Sequence, residues 1–297
     1  MENQKFFQSF TLKDGRKLGY AEYGNPEKKP VFYFHGFLGG RFEANFGGIF
    51  DKKVNCHLIS LDRPGIGLSD FQEGREILDW PNDVAELADH LGYEKFHILG
   101  VSGGGPYAAS CAYKIPERIY TAGIVAGMGP YKTIKKLLKN PNKSLFFLID
   151  KFPFLLGLVM RLMAKRFLKM EFNEKTSKSL AKTGKSLPEP DRKLYEDKKF
   201  QEFLIFHMKD VLQQGFRGAS HEGKLLVKPW DFSLEDISKD LKFYVWHGEL
   251  DINVPIEVGK HVASRIPNCE TIYYSEEAHV SVVANKIEEI LEKLTEG

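Results

Sequence analysis

The sequence predicts an α/β fold, in which a mostly parallel sheet carries helices on both faces and is interrupted by a helical segment. Short apolar runs at residues 31–34 and 57–61 alternate with helix-like patterns, which is typical of parallel strands buried on both faces. Strand-like runs disappear between about Tyr131 and Pro229, where the chain becomes helical, aromatic and basic. They return at residues 242–246, so we expect one α/β core with a helical insertion.

Each element of this core is indicated by its own pattern. Residues 6–12 and 17–23 alternate around an Asp-Gly turn and predict a β-hairpin. Asp79 and Pro81 introduce apolar residues at helical spacing and predict a helix over residues 81–91. Further strands are expected at residues 31–34, 57–61, 96–99, 119–125, 242–246 and 271–274, and further helices from residue 105 and over residues 255–265 and 281–294.

The bulk composition is that of an ordinary globular protein. The 297 residues are 42% hydrophobic and 28% charged, and the formal net charge of +2 favours no particular charged partner. This length fits one large domain, or a core with an inserted subdomain. We predict a core of residues 1–130 and 231–297 and a helical cap, or lid, of residues 131–230.

Cysteine usage and the start of the chain bear on location. Cys56, Cys111 and Cys269 are odd in number and widely spaced, which predicts neither a disulfide framework nor a zinc site and favours a reducing compartment. The first residues show no apolar stretch behind a basic start, so no signal peptide is expected. The longest apolar run, residues 152–160, is too short to span a bilayer. We therefore expect a cytoplasmic protein.

The pentapeptide Gly100-Val101-Ser102-Gly103-Gly104 is the strongest chemical signal in the chain. It follows the strand expected at residues 96–99 and precedes a predicted helix. A serine on such a sharp turn projects its hydroxyl above the sheet, and the flanking glycines avoid the clashes that a Cβ would cause. The pattern predicts a nucleophilic serine, and hence a hydrolase. The alternative interpretation is a glycine-rich turn with an inert serine.

A serine nucleophile needs a base and a carboxylate that orients the base. Asp251 and His279 stand in the loops after the strands expected at residues 242–246 and 271–274, which gives the chain order Ser, Asp, His. Glu249 is the competing carboxylate, but the position of Asp251 after its strand fits the pattern better. The other histidines show no metal-ligand spacing, and we expect no metal and no organic cofactor.

Acyl transfer also needs hydrogen-bond donors for the oxyanion. The backbone N–H of the residue after the nucleophile, Gly103, supplies the first donor. The second is expected from the loop after an earlier strand, where His35-Gly36-Phe37 makes the N–H of Phe37 the candidate. The alternative is a glycine-rich turn without a catalytic part.

Four segments together resemble the α/β-hydrolase superfamily, and in particular cap-bearing serine esterases related to proline iminopeptidases and haloperoxidases. These segments are His35-Gly36-Phe37, Asp62-Arg63-Pro64-Gly65-Ile66-Gly67-Leu68-Ser69, Gly100-Val101-Ser102-Gly103-Gly104 and His247-Gly248-Glu249-Leu250-Asp251. The resemblance implies an α/β-hydrolase fold with Ser102 as nucleophile, His279 as general base and acid, Asp251 as orienting carboxylate, and oxyanion donors at Phe37 and Gly103. The chain departs from the family where Glu277-Ala278 replaces the usual glycine before the base histidine.

The expected function is that of a serine hydrolase, a carboxylesterase that cleaves a small-molecule ester through an acyl-enzyme on Ser102. A thioesterase, an amidase or peptidase, and a cofactor-free perhydrolase use the same machinery and stay open as alternatives. The predicted cap is poor in carboxylates through its first half, which weighs against a peptidase that holds a substrate ammonium. A ligand receptor or signalling module that keeps the triad but turns over slowly is the alternative from another class.

The first part of the predicted cap is both basic and apolar. Residues 131–190 contain fourteen Lys and Arg against four Asp and Glu. Three interpretations are open: the lysines only keep the cap soluble, its apolar face lines an acyl pocket, or the basic amphipathic surface docks on anionic membranes as a peripheral contact. Phe203, Leu204, Phe206 and Met208 are expected in the last helices of the cap and are predicted to face the substrate pocket, with Phe203 and Phe206 as the main candidates. The absence of stacking motifs argues against nucleic-acid binding.

Overall fold

A mostly parallel sheet forms the centre of the computed structural model, which describes residues 5–48 and 54–296. The strands of this part of the chain are β1 (Gln8–Thr11), β2 (Lys17–Gly24), β3 (Pro30–Phe34), β4 (His57–Leu61), β5 (Phe96–Val101), β6 (Ile119–Val125), β7 (Lys242–Gly248) and β8 (Cys269–Tyr274). They lie in the order β1-β2-β4-β3-β5-β6-β7-β8. The β1–β2 and β2–β4 pairs are antiparallel, and the other neighbours are parallel.

The predicted strands are confirmed, and burial explains their apolar sequences. Every residue of β3, β4 and β5 is buried, because these central strands are covered on both faces. β1 and β2 form the predicted hairpin, in which Thr11 pairs with Lys17. At the other edge of the sheet, β8 is mostly half-buried and begins at Cys269, two positions ahead of the predicted start at residue 271.

Helices cover both faces of the sheet, as the sequence predicts. In chain order they are α1 (Trp80–His90), α2 (Gly105–Lys114), α3 (Tyr131–Ile134), α4 (Asn142–Lys151), α5 (Pro153–Leu168), α6 (Glu174–Gly184), α7 (Glu189–Glu196), α8 (Lys198–Val211), α9 (Arg217–Val227), α10 (Ile256–Ala263) and α11 (Ser281–Thr295). Val84 of α1 and Val258 of α10 share one apolar core with Phe32 of β3, whereas Ile287 of α11 shares a second core with Tyr33. Because successive strand residues point to opposite faces, the two cores lie on opposite sides of the sheet.

The helices α3 to α9, here called the inserted helices, lie between β6 and β7, and no strand is described in this stretch. They lie over the carboxyl edge of the sheet, because one cavity is lined both by loops of the sheet and by residues of the inserted helices. The division into a core and a cap at residues 130 and 231 stays a prediction. Within the described residues, no helix combines the length and the apolar composition needed to cross a membrane.

Candidate active site

Ser102 stands at the turn between β5 and α2. Its backbone is left-handed, with φ of +50°, a conformation that is strained in a residue with a side chain. A Cβ on Gly100 would lie 2.4 Å from the carbonyl oxygen of Gly104, and a Cβ on Gly104 would lie 2.1 Å from that of Phe34. Glycine is therefore required at both positions, and the turn holds the serine at the carboxyl edge of the sheet.

His279 and Asp251 continue from Ser102 as a hydrogen-bonded chain. Nε2 of His279 lies 3.0 Å from Oγ of Ser102, and Nδ1 lies 2.7 Å from Oδ2 of Asp251. Asp251 follows β7 and His279 follows β8, so the parallel strands bring both side chains to the edge at which β5 ends. Glu249, the competing carboxylate, is exposed. This geometry allows a proton to pass from the serine hydroxyl to the imidazole.

Asp251 is buried and held as a carboxylate. Its Oδ1 accepts hydrogen bonds from the backbone N–H groups of Asn253 and Val254 at 2.8 and 2.9 Å. Nε2 of His247 lies 3.3 Å from Oδ2. Burial acts to raise the pKa of Asp251, but the charge of His279 and the hydrogen bonds from His247 and His279 outweigh it, and the pKa is about 2. Asp251 is therefore ionised at neutral pH.

The pKa of His279 is raised above its ordinary value of 6.5. Burial acts to lower it, but the hydrogen bond to Asp251 and the negative charges of Asp251, Asp191 and Glu43 have the larger combined effect. The same carboxylates would stabilise an imidazolium formed when His279 takes a proton. His279 is thus set up as a base.

The loop after β3 runs beside the turn that carries Ser102. A Cβ on Gly103 would lie 2.7 Å from the backbone nitrogen of Phe37, and a Cβ on Gly36 would lie 3.3 Å from Cβ of Ser102. The segments that carry the two predicted oxyanion donors, Phe37 and Gly103, are therefore in contact next to the serine. Their position suits donors to an oxyanion that forms on attack by Ser102.

A buried arginine, Arg63, holds the loop after β3. Its guanidinium donates hydrogen bonds to the carbonyl oxygens of His35 and Gly36, at 2.5 and 2.9 Å. It also donates to Oε2 of Glu222 at 2.7 Å, and Glu222 accepts a further hydrogen bond from Arg75. Because Glu222 lies on α9, an inserted helix supplies the carboxylate that compensates the buried cations behind this loop.

A second carboxylate of the inserted helices, Asp191 on α7, contacts the loop of His279. Its Oδ1 accepts hydrogen bonds from the backbone N–H groups of Val280 and Ser281 at 3.0 and 2.8 Å. These are the two residues that follow His279, and α11 begins at Ser281. Asp191 therefore caps α11 from another part of the chain and fixes the backbone next to the imidazole.

A third carboxylate of the inserted helices, Asp210 on α8, binds Arg41, which follows the loop after β3. Nη2 of Arg41 lies 2.7 Å from Oδ1 of Asp210, and Nη1 lies 2.6 Å from Oδ2 of Asp62. The arginine is fully buried between the two carboxylates. None of the three carboxylates was predicted from the sequence, because their partners are distant in the chain and no local spacing marks them.

Glu43 is a further buried acid that was not predicted. Its Oε1 accepts hydrogen bonds from the backbone N–H of Gly36 at 2.7 Å and from the hydroxyl of Tyr33 at 3.0 Å. Burial nevertheless raises the pKa of Glu43 to about 7. Because it accepts the hydrogen bond from Gly36, Glu43 helps to position the loop that carries Phe37. Its side chain also lines the cavity, so it adds a titratable group near Ser102.

A cavity of about 840 Å³ adjoins Ser102. Phe37, Glu43, Gly103 and His279 lie beside the serine in its wall. Much of the remaining wall is apolar and includes Phe46, Met128, Leu145, Phe146, Met163, Phe167, Met170, Leu180, Leu204, Met208, Leu226, Val254 and Val283. A smaller polar part includes Asn142, Arg166, Asn173, Lys175, Thr176, Ser179 and Thr183. The cavity therefore suits a largely apolar ligand with one polar end.

The structure differs from the prediction for Phe203 and Phe206, which do not line this cavity. Phe203 packs edge-on against Phe46, and Phe206 packs against Phe42 and is 42% exposed. Leu204 and Met208 of α8 line the cavity, in agreement with the prediction, and His207 of the same helix, which was not predicted, lines it too. Apolar residues occur on all sides of α8, so their spacing does not select the face that meets the ligand.

The described residues were compared with the arrangements that bind metal ions or form disulfides. These residues contain no group of three or more His, Cys, Asp or Glu side chains arranged to hold a metal ion. Cys56 and Cys111 are buried, and neither they nor Cys269 form a disulfide. The expectation of a cofactor-free protein stays a prediction.

Comparison with known proteins places these features in a family. The sequence model of the α/β hydrolase fold family matches residues 29–284. A probable proline iminopeptidase from Leptolyngbya boryana is 30% identical over 102 residues, which are 33% of this chain and 32% of that protein. Lipase 3 from Moraxella sp. (strain TA144) is 32% identical over 129 residues, which are 41% of this chain and 39% of that protein.

The solved structure of an esterase from Rhodococcus sp. ECU1013 is similar over 97% of this chain and 96% of that chain, with a TM-score of 0.69 and 18% sequence identity. This likeness extends to the inserted helices and concerns the fold alone. The chain spans about a third to a half of the length of the curated relatives it matches. The family match covers most of the sequence and agrees with the sheet order and the turn at Ser102. The chain therefore belongs to the α/β-hydrolase fold family, as its sequence motifs predict.

Proposed function

We propose that the protein is a serine hydrolase that cleaves carboxylic esters of small molecules through an acyl-enzyme on Ser102. The observation that carries the proposal is the chain of hydrogen bonds from Ser102 through His279 to Asp251 at the wall of an apolar cavity. Such a chain activates a hydroxyl, which alone is a weak nucleophile at neutral pH. The names of two similar proteins, a lipase and an esterase, support the same reaction class.

The first half of the proposed reaction forms the acyl-enzyme. Oγ of Ser102 attacks the ester carbonyl carbon while Nε2 of His279 takes the hydroxyl proton. The carbonyl oxygen becomes an oxyanion, which accepts hydrogen bonds from the backbone N–H groups of Phe37 and Gly103. The tetrahedral intermediate then collapses, the bond to the alcohol oxygen breaks, and His279 gives its proton to the leaving alkoxide.

The second half repeats these steps with water. His279 takes a proton from a water molecule, whose oxygen attacks the acyl carbon. The bond to Oγ of Ser102 breaks, and the proton on His279 returns to Oγ as the carboxylic acid leaves. Asp251 stays ionised throughout, because its pKa of about 2 is far below neutral pH.

In this proposal residues 131–230 act as a cap that closes the site and shapes the substrate. The apolar wall suits an acyl chain, and burying each methylene of such a chain contributes about 0.8 kcal/mol. Arg166 and Lys175 lie in the polar part of the cavity wall and suit a polar or anionic group at one end of the ligand. Glu43 is the acid of this wall, and it is held by the core.

The alternatives use the same nucleophile on other substrates. A thioesterase or perhydrolase needs no further group, whereas a peptidase needs carboxylates that hold a substrate ammonium. The described cavity wall contains no carboxylate from the inserted helices, which weighs against the peptidase. A slow receptor would bind a ligand in the same cavity with little turnover.

A p-nitrophenyl ester series from acetyl to palmitoyl tests the proposal. We expect turnover with an optimum at a medium or long chain, because the wall of the cavity is mostly apolar. Ser102→Ala should lower kcat by about 10⁴-fold or more, with thermal unfolding measured alongside. A matched acyl-thioester and acyl-anilide of the best chain length then distinguish esterase from thioesterase and amidase.

Two results would contradict the proposal. Turnover that survives in Ser102→Ala would mean that another group is the nucleophile. No turnover of any ester, thioester or anilide by the folded protein would favour the slow receptor.

A further inference from the structure

The outward side of α4 and α5 exposes an unusual number of apolar side chains. The helix α5 buries Leu156, Met160 and Ala164 at a spacing of four residues. On its other side, Leu155, Leu158, Val159 and Leu162 recur at helical spacing and are exposed. Together with neighbouring exposed residues, they define what is here called the outer apolar face: Phe147, Leu148, Phe152, Phe154, Leu155, Leu158, Val159 and Leu162.

The outer apolar face exposes more large apolar side chains than a surface in contact with water alone usually does. Phe154 is 71% exposed, Leu162 60% and Leu158 56%, and the rings of Phe152 and Phe154 are in edge-on contact. A surface helix normally keeps its apolar side chains on the side that faces the core, whereas α5 also carries apolar side chains on part of its exposed side. Contiguous apolar patches of this kind mark sites at which a protein meets another apolar surface.

The charges around the face indicate what that surface is. Within residues 142–169 there are six Lys and Arg against one acid, Asp150, and Asp150 pairs with the adjacent Lys151. Lys165 and Lys169 are exposed and lie one and two turns beyond Leu162 along α5. Apolar side chains beside basic ones at the same helix surface are complementary to the acyl boundary and the anionic headgroups of a phospholipid bilayer.

A second copy of the chain fits this face less well. Pairing two outer apolar faces would bring the two sets of lysines and arginines together, and like charges at an interface oppose association. An anionic bilayer instead offers opposite charge at the headgroups and an apolar layer directly below them.

One helix, α5, contributes both to the outer apolar face and to the wall of the cavity. Met163, Arg166 and Phe167 of α5 line the cavity, while Leu158 and Leu162 of the same helix point away from the described core. The helix α5 therefore forms a wall between the cavity and the surface proposed to dock.

We propose that the outer apolar face docks the protein on the surface of anionic phospholipid membranes. The apolar side chains of α5 enter the headgroup and acyl boundary, and the lysines bind anionic headgroups. Docking does not depend on the proposed esterase activity, because none of the docking residues contacts Ser102, Asp251 or His279.

Co-sedimentation with lipid vesicles tests the proposal, using the full chain with Ser102→Ala so that hydrolysis does not alter the lipid. The probes are vesicles of phosphatidylcholine alone and of phosphatidylcholine with roughly one third phosphatidylglycerol. We expect binding to the anionic vesicles, weaker binding to the neutral ones, and a loss of binding as salt is raised.

Two variants separate the apolar from the electrostatic part. Leu158→Glu/Leu162→Glu should weaken binding to anionic vesicles by about 100-fold or more, because it removes two inserting side chains and adds two negative charges. Lys165→Glu/Lys169→Glu should weaken it by about tenfold or more and reduce its salt dependence. Lys28→Glu/Lys239→Glu makes the same charge change on exposed residues elsewhere and should have a smaller effect. Equal thermal unfolding of all variants would confirm that they fold.

The proposal is overturned if the protein does not bind anionic vesicles, or if it binds neutral vesicles equally well. It is also overturned if the leucine variant binds like the parent. Concentration-dependent dimerisation that the leucine variant abolishes, without vesicle binding, would assign the face to a second copy. Membrane binding by a protein without ester turnover would support docking and contradict the proposed function, so the two proposals fail separately.

Discussion

The core and the inserted helices contribute to the site in different ways. Ser102, Asp251 and His279 all lie in core loops that follow strands of the sheet. The inserted helices supply Asp191, which accepts hydrogen bonds from the backbone next to His279, and Glu222, which binds the arginine that holds the loop after β3. The first set can react in the proposed mechanism, whereas the second set positions the groups that react.

From this difference we expect two classes of substitution, one that lowers turnover alone and one that lowers both turnover and the free energy of unfolding. Removal of a reacting group should abolish turnover and leave the fold nearly intact. Removal of a positioning carboxylate should reduce both, because it leaves buried partners without a counter-charge. The following substitutions test this distinction, beginning with the largest expected effect.

Asp251→Asn removes the charge that orients His279 and keeps the shape of the side chain. We expect kcat/KM for a short ester to fall by about 10⁴-fold. The negative charge of Asp251 helps to raise the pKa of His279, so its loss lowers that pKa. Since His279 must be neutral to act as a base, the acid limb of the pH profile should move to lower pH. A profile of kcat/KM against pH measures both effects, and a limb that moves to higher pH would contradict the assignment.

Glu222→Ala tests a positioning carboxylate that is fully enclosed. It leaves Arg63 and Arg75 buried without their partner, and we expect the free energy of unfolding to fall by about 3–5 kcal/mol. kcat should fall too, because Arg63 also holds the carbonyl oxygens of His35 and Gly36. Chemical denaturation and turnover measure the two effects.

Glu73→Ala is the matched control for this substitution. Glu73 pairs with Arg217, which lies on α9 as Glu222 does, but the side chains of Glu73 and Arg217 are both exposed. The expected loss of unfolding free energy is therefore about 0–1 kcal/mol. Equal losses of unfolding free energy for the two variants would show that burial does not make the ion pairs of Glu222 with Arg63 and Arg75 more stabilising than an exposed pair.

Asp191→Ala should have a smaller effect than Asp251→Asn or Glu222→Ala. It removes two hydrogen bonds from the start of α11, and we expect the free energy of unfolding to fall by about 1–2 kcal/mol. kcat should fall because His279 is adjacent to the freed backbone. Asp191→Asn keeps an oxygen that can accept both hydrogen bonds, so it should restore most of the stability. Identical behaviour of the Ala and Asn variants would argue against a positioning role.

Much of the site was predictable because its signals are local. The glycines around Ser102 are required by contacts within the turn and with the neighbouring strand, so they mark the serine in any chain that makes this turn. Asp251 and His279 follow short apolar runs that predicted strands of the same sheet. Parallel strands place such residues at one edge, which is why order along the chain predicted proximity.

The inserted helices were predicted less well, for a physical reason. Four residues of α8 were expected in the pocket, and Leu204 and Met208 line it, whereas Phe203 and Phe206 do not. His207, which was not predicted, lines it as well. Composition predicts a helix, but its rotation about its own axis depends on what packs against it. The contacts of Asp191 and Glu222 likewise join residues that are far apart in the chain.

The sequence by itself therefore determined the α/β architecture, the strained turn at Ser102 and the three residues proposed to react, because turns and strand ends impose their requirements on neighbouring residues. Only the tertiary structure decided which face of each inserted helix meets the cavity. It also decided which buried carboxylates hold the loops, and that α5 carries one apolar side inward and another outward. Those features arise from long-range packing, in which partners are chosen by the fold as a whole.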